Sequence, residues 1–280
     1  MIAKEKFKPD YFLYENNKSA AQAIKNQISH ELGVDLQYIN SALVSAQNRQ
    51  RFYAHNIPNV EQPEDRGILL KDILESGTAW KEKSYCLDAN YYKATNGTNA
   101  FNGKQSGKRL CVAEPVRIGT ISNNSKNKTY DSQQYRVYST NGKFVTICGQ
   151  GGGVGAKTGL YTCPIDKNMK KQNIYEVHNG LITIQDKQYP IKLSKGHYII
   201  RKLTPIECER LQTLPDNYTA GISNTQRYKC IGNGWTAEVI IHILNYLDIP
   251  KDEPIEVLSM YDGIGTGKYC FDKLGYKNIA

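Results

Sequence analysis

The chain has 280 residues, of which 40% are hydrophobic and 22% charged, and its formal net charge is +9 at pH 7. This composition is enough to bury a core, and the length suggests about two domains. The first residues lack the apolar core of a signal peptide, and no run of about 18 apolar residues occurs, so we expect an intracellular protein with no membrane partner. The basic balance favours a polyanion: DNA, RNA or an acidic membrane surface.

The seven cysteines are odd in number, and no two have Cys-x-x-Cys spacing. The five histidines do not cluster with them. We therefore predict reduced structural thiols, without a disulfide framework or a metal site. These cysteines are Cys86, Cys111, Cys148, Cys163, Cys208, Cys230 and Cys270.

Residues 1–75 alternate strand-like and helix-like patterns. "YFLYE" predicts a short strand, and "YINSALVSA" predicts another. Between them "SAAQAIKNQISHEL" carries Ile24, Ile28 and Leu32 at helical spacing, and Gly33 follows as a stop signal. Strand, helix and strand in this order indicate an α/β layer.

Residues 76–198 differ, because they are rich in Asn, Gly, Lys and Tyr and show few helical periods. Asn141-Gly142 and Asn179-Gly180 each stand between alternating apolar segments. Asn-Gly tolerates the positive φ of a tight turn, so both pairs predict β-hairpins. This region is expected to form a smaller β-rich domain or a long insertion.

Residues 199–280 return to an α/β pattern. "LTPIECERLQ" predicts a helix with Thr204 as N-cap, Pro205 at its first position and Glu207 completing a capping box. "TAEVIIHILNYL" predicts a second helix, and "DIPKDEP" predicts a loop. "IEVLSMY" predicts a buried strand that leads into residues 261–267, which we call the glycine loop.

The glycine loop precedes a predicted helix that Gly275 ends. Glycines allow close approach of a ligand, and a helix start offers free N–H groups, so the pattern suits a nucleotide-type cofactor. A plain strand-to-helix turn explains it equally well. Gly267-Lys268 is followed by Tyr269 rather than by a magnesium-binding hydroxyl, so a nucleoside triphosphate is not expected.

Three further stretches carry polar groups suited to a site. Glu15 follows an apolar strand, at the position where a parallel strand would end. Arg49 and Arg51 alternate in an extended pattern, so that two guanidinium groups converge. Residues 232–235 precede a helix and form a predicted N-terminal turn that Asn233 caps. Each stretch alone is equally typical of a solvated surface.

Together the stretches resemble the motifs of the DNA (cytosine-5) methyltransferases. "YFLYENN" resembles the family's Glu-Asn motif, "QNRQRFY" its Gln-x-Arg-x-Arg motif and "RKLTPIECERLQTLPDNY" its most specific motif. "GNGWTAEV" resembles the Gly-Asn motif, "GGGVGAKTGLY" a segment of the target-recognition region, and the glycine loop the cofactor motif. The resemblance covers nearly all of the chain. It implies a Rossmann-like α/β domain, permuted and incomplete, with a smaller β-rich target-recognition domain.

The resemblance also implies roles. Residues 1–75 and 199–280 would form parts of the catalytic domain, and residues 76–198 would recognise double-stranded DNA. A flipped cytosine would receive a methyl group at C5 from S-adenosylmethionine. The implied catalytic residues are Glu15, Arg49 and Arg51; the cofactor-binding residues are Asn233, Trp235, Tyr261, Asp262, Gly263, Ile264, Gly265 and Thr266; the DNA-binding residues are Gln47, Gly152, Gly153, Lys157 and Thr158.

The motif order is unusual, because the glycine loop follows the Gly-Asn motif instead of opening the chain. Close termini tolerate circular permutation, so we infer a permuted arrangement. The family's Pro-Cys nucleophile motif does not occur in the sequence, and Cys163-Pro164 has the reverse order. A second polypeptide or a missing segment is therefore expected to supply it.

Two alternatives to this methyltransferase component remain open. One is a catalytically inactive DNA-binding or regulatory homologue. The other is a truncated reading frame, whose unpaired sheet edge would invite aggregation. The resemblance also implies a bacterial or phage-encoded protein of the cytoplasm, serving restriction, self-protection or regulation.

Overall fold

The computed structural model describes residues 2–79, 81–93, 111–115, 119–120, 136–137, 174–184, 187–261 and 263–276. The chain divides into two compact units. The first comprises Met1–Ile73, Lys83–Tyr92 and Pro205–Ala280, and the second comprises Leu74–Glu82 and Lys93–Thr204. The described residues contain both helices and antiparallel sheets, which confirms the predicted α/β mixture.

The first unit contains five of the described strands and all of the described α-helices. Its strands are β1 (Leu13–Asn17), β2 (Leu36–Asn40), β3 (Gln47–Asn48), β4 (Gln50–His55) and β5 (Ser84–Tyr85). Its helices are α1 (Ile2–Phe7), α2 (Gln22–Leu32), α3 (Leu70–Ile73), α4 (Pro205–Leu211), α5 (Asn224–Asn233), α6 (Ala237–Leu244) and α7 (Thr266–Leu274).

A three-stranded sheet with the order β1-β4-β2 forms the frame of the first unit. Strand β4 lies in the centre and pairs antiparallel with both neighbours. Strands β1 and β2 therefore run parallel to each other, with α2 between them in sequence and β4 between them in space. Glu15 is the third residue of the five-residue β1, so the prediction that it follows the end of a parallel strand is wrong. Strand β1 continues past Glu15 because it pairs with β4 as far as Asn17.

The core of this unit lies between one face of the sheet and the C-terminal helices. Ile39 of β2 and Tyr53 of β4 belong to the same buried cluster as Ile240 and Ile243 of α6 and Cys270 of α7. Alternation along a strand sends successive side chains to opposite faces, which explains why Ile39 and Tyr53 share a face. Burial of this apolar surface is the main stabilising contribution to the unit.

Several helix signals read from the sequence are confirmed. Helix α2 ends at Gly33, whose φ of 67° lies in the left-handed region and whose N–H donates to the Ser29 carbonyl at 2.9 Å. Helix α7 ends at Gly275 in the same way. Helix α4 begins at Pro205, where a fixed φ and a missing N–H carry no penalty.

Two predicted boundaries are wrong for local reasons. The strand predicted over "YINSALVSA" stops at Asn40, because the Asn40 side chain accepts a hydrogen bond from the Ala42 N–H and starts a 3₁₀ turn. The predicted turn at residues 232–235 is partly helical, since α5 runs through Asn233. Thr236, not Asn233, occupies the N-cap position of α6.

The predicted strand "IEVLSMY" is also wrong, because residues 257–261 pair with none of the described strands. Leu258, Met260 and Tyr261 are exposed, and Tyr261 reaches 99%. A strand is stabilised by its neighbours, so an apolar segment without one leaves its side chains in solvent.

The second unit contains a five-stranded antiparallel sheet with the order β11-β10-β9-β12-β6 and a separate pair, β7-β8. Asn179 and Gly180 connect β9 and β10 with φ values of 51° and 72°, which confirms the predicted hairpin. Asn141-Gly142 lies outside the described residues. The strands are β6 (Cys111–Pro115), β7 (Gly119–Thr120), β8 (Arg136–Val137), β9 (Ile174–His178), β10 (Leu181–Ile184), β11 (Lys187–Pro190) and β12 (Gly196–Lys202).

Candidate functional site

Strand register brings the predicted catalytic carboxylate and one predicted arginine together. In the β1–β4 ladder Glu15 pairs with Tyr53, and Asn17 pairs with Arg51. Directly paired residues of antiparallel strands point to the same face, so these four side chains lie together. The grouping follows from alternation along the strands, because Glu15 and Asn17 are two residues apart in β1 and Arg51 and Tyr53 are two residues apart in β4.

Arg51 connects the members of this group. Its Nε lies 2.7 Å from Glu15 Oε1, and its Nη1 donates to Asn17 Oδ1 at 3.0 Å. The side chains of Arg51 and Glu15 are 11% and 15% exposed, so the ion pair is largely buried but still reaches the surface. A carboxylate and a guanidinium at a partly desolvated surface present acceptors and donors to the edge of a planar ligand.

Tyr53, which pairs with Glu15 across the two strands, is buried near this ion pair. Burial raises the pKa of Tyr53 well above its usual value, and the nearby Glu15 carboxylate raises the pKa further. The phenol therefore stays protonated at any physiological pH and adds no charge beside the ion pair.

Arg49 occupies a different environment, because only 3% of it is exposed. Its Nη1 donates to the Leu87 carbonyl at 2.8 Å, and its Nη2 donates to the Gly234 carbonyl at 2.9 Å. Burial lowers the pKa of Arg49, and the nearby Arg51 lowers the pKa further. The guanidinium of Arg49 thus ties two backbone segments together. The structure brings both predicted arginines to one place but leaves only Arg51 partly open to a ligand.

Cys86 also lies beside these arginines, which the sequence alone does not predict. Its Sγ lies 3.2 Å from Arg49 Nη1 and 3.6 Å from Arg51 Nη2, and the residue is exposed. Glu15, Asn17, Arg49, Arg51 and Cys86 are called the arginine cluster below. The sequence contains no spacing that would have revealed Cys86, since 35 positions separate it from Arg51.

The prediction that Gln47 contacts DNA is wrong, because the residue is buried and 0% exposed. Its Nε2 donates to the Leu211 carbonyl at 3.2 Å, and its Oε1 accepts from the Leu87 N–H at 2.7 Å. A side chain enclosed in this way cannot reach a nucleic acid. The amide of Gln47 instead satisfies backbone groups inside the protein.

An interior polar network joins two of the sequence motifs, those that contain Gln212 and Thr236. Gln212 Nε2 donates to the Ile231 carbonyl at 2.8 Å, and its Oε1 accepts from the Thr236 hydroxyl at 2.9 Å. Ser41 Oγ donates to the same hydroxyl oxygen at 2.9 Å. Buried polar groups require such partners, so these residues support the site from within.

The glycine loop lies beside the Gly-Asn stretch. A Cβ placed on Gly234 would lie 3.7 Å from the Ile264 side chain, and Trp235 and Ile264 both pack against the same core. Asn233 is exposed. The structure therefore brings together three of the predicted cofactor residues, Trp235, Ile264 and Gly265, whose roles remain predictions.

The start of α7 fits an anionic or polar ligand. Gly263 and Gly265 have φ values of 62° and 74°, a conformation that only glycine adopts readily. Among the described residues the buried Thr266 hydroxyl has no hydrogen-bond partner. Close approach of the backbone at the two glycines and the unpaired Thr266 hydroxyl suit a polar ligand such as a nucleoside-type cofactor. Tyr261 projects into solvent, and Asp262 lies outside the described residues.

The remaining predicted DNA-binding residues, Gly152, Gly153, Lys157 and Thr158, lie outside the described residues, as does Cys163. Within the described ranges, no three His, Cys, Asp or Glu side chains are placed to hold a metal ion. No helix in the described part of the chain is long and apolar enough to span a membrane.

Comparisons with known proteins give consistent results. Residues 2–248 match the family model of the C-5 cytosine-specific DNA methylases, a match that ends before the glycine loop. Rice DNA (cytosine-5)-methyltransferase DRM2 is 33% identical over 80 residues, which cover 29% of this chain and 13% of that protein. Type II methyltransferase M.HhaI of Haemophilus parahaemolyticus is 30% identical over 132 residues, which cover 47% and 27%. Orphan methyltransferase M.SPBetaI of Bacillus phage SPbeta is 26% identical, with 88% and 67% covered. The chain thus spans well under a third of the first two relatives.

Proposed function

Because the chain belongs to the C-5 cytosine-specific DNA methylase family, we propose that it is a component of a DNA (cytosine-5) methyltransferase. Its substrate is a cytosine flipped out of double-stranded DNA, and its methyl donor is S-adenosylmethionine. The observation that carries the proposal is the Glu15–Arg51 pair, held at 2.7 Å at a partly exposed surface. The resemblance of these residues to the family's Glu-Asn and Gln-x-Arg-x-Arg motifs, read from the sequence, gives the pair a role.

Glu15 and Arg51 would bind the two polar edges of the cytosine. The carboxyl group of Glu15 hydrogen-bonds the N3 position, and the Arg51 guanidinium donates to O2. Removing electron density from the ring at N3 makes C6 more susceptible to a nucleophile, and general acid catalysis of this kind contributes about 10²–10⁴-fold. Arg49 acts indirectly, since its donors are taken by the backbone carbonyls of Leu87 and Gly234.

The residues around the glycine loop would hold the cofactor. Gly263 and Gly265 allow close approach, and the Thr266 hydroxyl offers a hydrogen bond. Trp235 supplies an apolar surface from the Gly-Asn stretch. The bound cofactor supplies an electrophilic methyl group for C5 of the cytosine.

The motif order supports a circularly permuted arrangement, in which the glycine loop completes a domain that begins with Glu15. The sequence contains no Pro-Cys dipeptide. A second polypeptide, or a segment beyond these 280 residues, is proposed to carry the nucleophile that adds to C6. The phage and bacterial relatives agree with a protein of a bacterial or phage-infected cytoplasm.

The absence of Pro-Cys from the sequence also favours one alternative function. In that alternative the chain is a catalytically inactive DNA-binding or regulatory homologue that keeps the fold. The two functions differ in whether any nucleophile-bearing segment restores methyl transfer.

The experiment that tests the proposal is the substitution Glu15→Gln in the enzyme purified with all of its natural partners. We expect kcat for methyl transfer to fall at least about 100-fold, because the amide cannot donate a proton to N3 in the same way. Glu253→Gln, on an exposed loop, is the matched control and should leave kcat unchanged. Undiminished transfer by the Glu15 variant would remove Glu15 from the mechanism.

A further inference from the structure

A segment that the sequence motifs do not include lies against the arginine cluster. Lys83–Tyr92 belongs to the first unit, although the stretches on both sides of it, Leu74–Glu82 and Lys93–Thr204, belong to the second. The chain thus enters the second unit, comes back to the first for ten residues and leaves again. Lys83–Tyr92 is called the return segment below.

The return segment is fixed on one side by the strand that leads into the arginines. Strand β5 pairs with β3 in parallel, and the Ser84 N–H donates to the Ala46 carbonyl at 2.7 Å. The Leu87 N–H donates to the buried Gln47 side chain at 2.7 Å. These bonds explain why a polar glutamine is enclosed at position 47.

The segment is fixed on its other side by α5 and by Arg49. Arg49 donates to the Leu87 carbonyl at 2.8 Å. A Cβ on Gly232 would lie 2.2 Å from the backbone of Asp88, so the helix and the segment touch where only glycine fits. The rings of Tyr91 and Tyr228 lie 5.6 Å apart. The return segment is therefore held by contacts on both sides.

Cys86 remains exposed on this fixed backbone. Its Sγ accepts a hydrogen bond from Arg49 and lies 3.6 Å from Arg51 Nη2. The Nε of Arg51 in turn forms the ion pair with Glu15. The thiol, the guanidinium of Arg51 and the carboxylate thus form one continuous set of polar groups that reaches the surface. The thiol also donates to its neighbour's carbonyl, that of Leu87, at 3.3 Å.

We propose that the return segment forms a wall of the cytosine-binding pocket and that Cys86 contacts the flipped base there. This inference rests on the proposed function, because it needs a cytosine between Glu15 and Arg51. Cys86 has a positioning role and takes part in no bond-forming step. The thiol is small and exposed, whereas a larger side chain this close to Arg51 would crowd its guanidinium.

The test measures alkylation of Cys86 by iodoacetamide in the enzyme purified with all of its natural partners, with peptide mass spectrometry reporting each cysteine of this chain separately. Three samples are compared: the enzyme alone, the enzyme with excess unmethylated mixed-sequence duplex DNA, and the enzyme with excess alternating dA·dT duplex. Excess mixed-sequence DNA lets the chain occupy its recognised sites, because specific binding is typically 10³–10⁷-fold tighter than non-specific binding. Fluorescence anisotropy confirms that both duplexes are bound, and the less exposed Cys230 serves as the internal control.

We expect the mixed-sequence duplex to slow alkylation of Cys86 at least about 10-fold, while the dA·dT duplex, which has no cytosine, slows it less than about 2-fold. Equal protection by both duplexes would overturn the inference, since Cys86 would then lie only beneath bound DNA. No protection by a fully bound mixed-sequence duplex would overturn it too. Absence of DNA binding would instead reject the proposed function on which the inference rests.

As a second measurement, Cys86→Ser and Cys86→Leu are compared in the enzyme purified with its partners. Serine keeps a small polar group, so we expect KM for DNA to change less than about 3-fold. Leucine fills the space beside Arg51, so we expect KM to rise at least about 10-fold with a smaller change in kcat. Equal KM values for both variants would contradict contact with the base.

Discussion

The arginine cluster and the glycine loop belong to the same unit of the chain but differ in how completely they are built. In the arginine cluster every guanidinium donates to a protein group, and Arg49 is 3% exposed. In the glycine loop Tyr261 is 99% exposed, and the preceding Leu258 and Met260 are exposed as well. One site is organised by contacts within the chain, while the other presents apolar side chains to solvent.

The difference follows from which neighbours each segment has. Strand β1 pairs with β4, which carries Arg51, and the return segment lies against both arginines. Residues 257–261 have the apolar composition of a buried strand, yet pair with none of the described strands. Substitutions in the arginine cluster should therefore act on folding as well as on activity, whereas substitutions beside the glycine loop should act mainly on binding.

The largest expected effect comes from Gly232→Ala, which separates α5 from the return segment. The added Cβ would lie 2.2 Å from the Asp88 backbone, so the two segments must move apart. We expect the free energy of unfolding, measured by urea titration, to fall by about 3 kcal/mol. Asn233→Ala, at the exposed neighbouring position, should change it by less than about 0.5 kcal/mol. Similar values for the two variants would contradict the close contact.

Arg49→Met should have the next largest effect. Methionine preserves much of the volume but removes the charged donor, so the carbonyls of Leu87 and Gly234 keep only their 3.3 Å hydrogen bonds from Cys86 Sγ and Gln212 Nε2. Hydrogen bonds to a charged group contribute about 1.5–3 kcal/mol, so we expect a loss of about 2 kcal/mol in the same titration. Lys268→Met removes an exposed cation of α7 and is the control. A neutral effect at position 49 would show that Arg49 does not tie the segments together.

His55, at the end of β4, should make the stability of this sheet depend on pH. Burial lowers the pKa of His55 below its ordinary 6.5, so the unfolded chain binds a proton more readily than the folded one. Stability should therefore fall as pH drops from 7 through 6.5, and His55→Gln should reduce this slope. The exposed His30→Gln should leave it unchanged. Equal slopes for wild type and His55→Gln in urea titrations would refute the assignment.

Leu258→Ser should have the smallest effect on stability of the isolated chain. The side chain is 59% exposed and gives up little buried area, so the free energy of unfolding should change by less than about 0.5 kcal/mol. In the enzyme purified with its partners the same variant should lower cofactor affinity, as isothermal titration would show. A loss above 1 kcal/mol in the isolated chain would mean that residues 257–261 already have a stable neighbour.

Local signals in the sequence predicted local structure well. Gly33, Pro205 and Asn179-Gly180 each act on backbone angles within one turn, and the structure has the predicted stop, start and hairpin at these positions. The C-5 cytosine methylase family was also recognisable from the motifs. The predictions that failed depended on residues distant in sequence. They concern the pairing of β4 with the strand that carries Glu15, the burial of Gln47 and residues 257–261, which pair with none of the described strands.

Cys86 shows why part of the site could not be predicted. Glu15 and Arg51 are joined by the register of adjacent strands, which alternation makes predictable. Cys86 reaches the same place only because the chain returns from the second unit and lies between β3 and α5. No periodicity encodes such a path, and only the three-dimensional structure reveals it.

Methyl transfer to C5 of cytosine is tested most directly by identifying the nucleoside product. The protein is isolated from its native cells with every bound partner. Unmethylated duplex DNA is incubated with this preparation and isotopically labelled S-adenosylmethionine, then digested to nucleosides for mass spectrometry. We expect labelled 5-methyl-deoxycytidine, reduced at least about 100-fold when Glu15 is replaced by Gln. Label found only on adenine or on N4 of cytosine, or no label with DNA and cofactor bound, would contradict it.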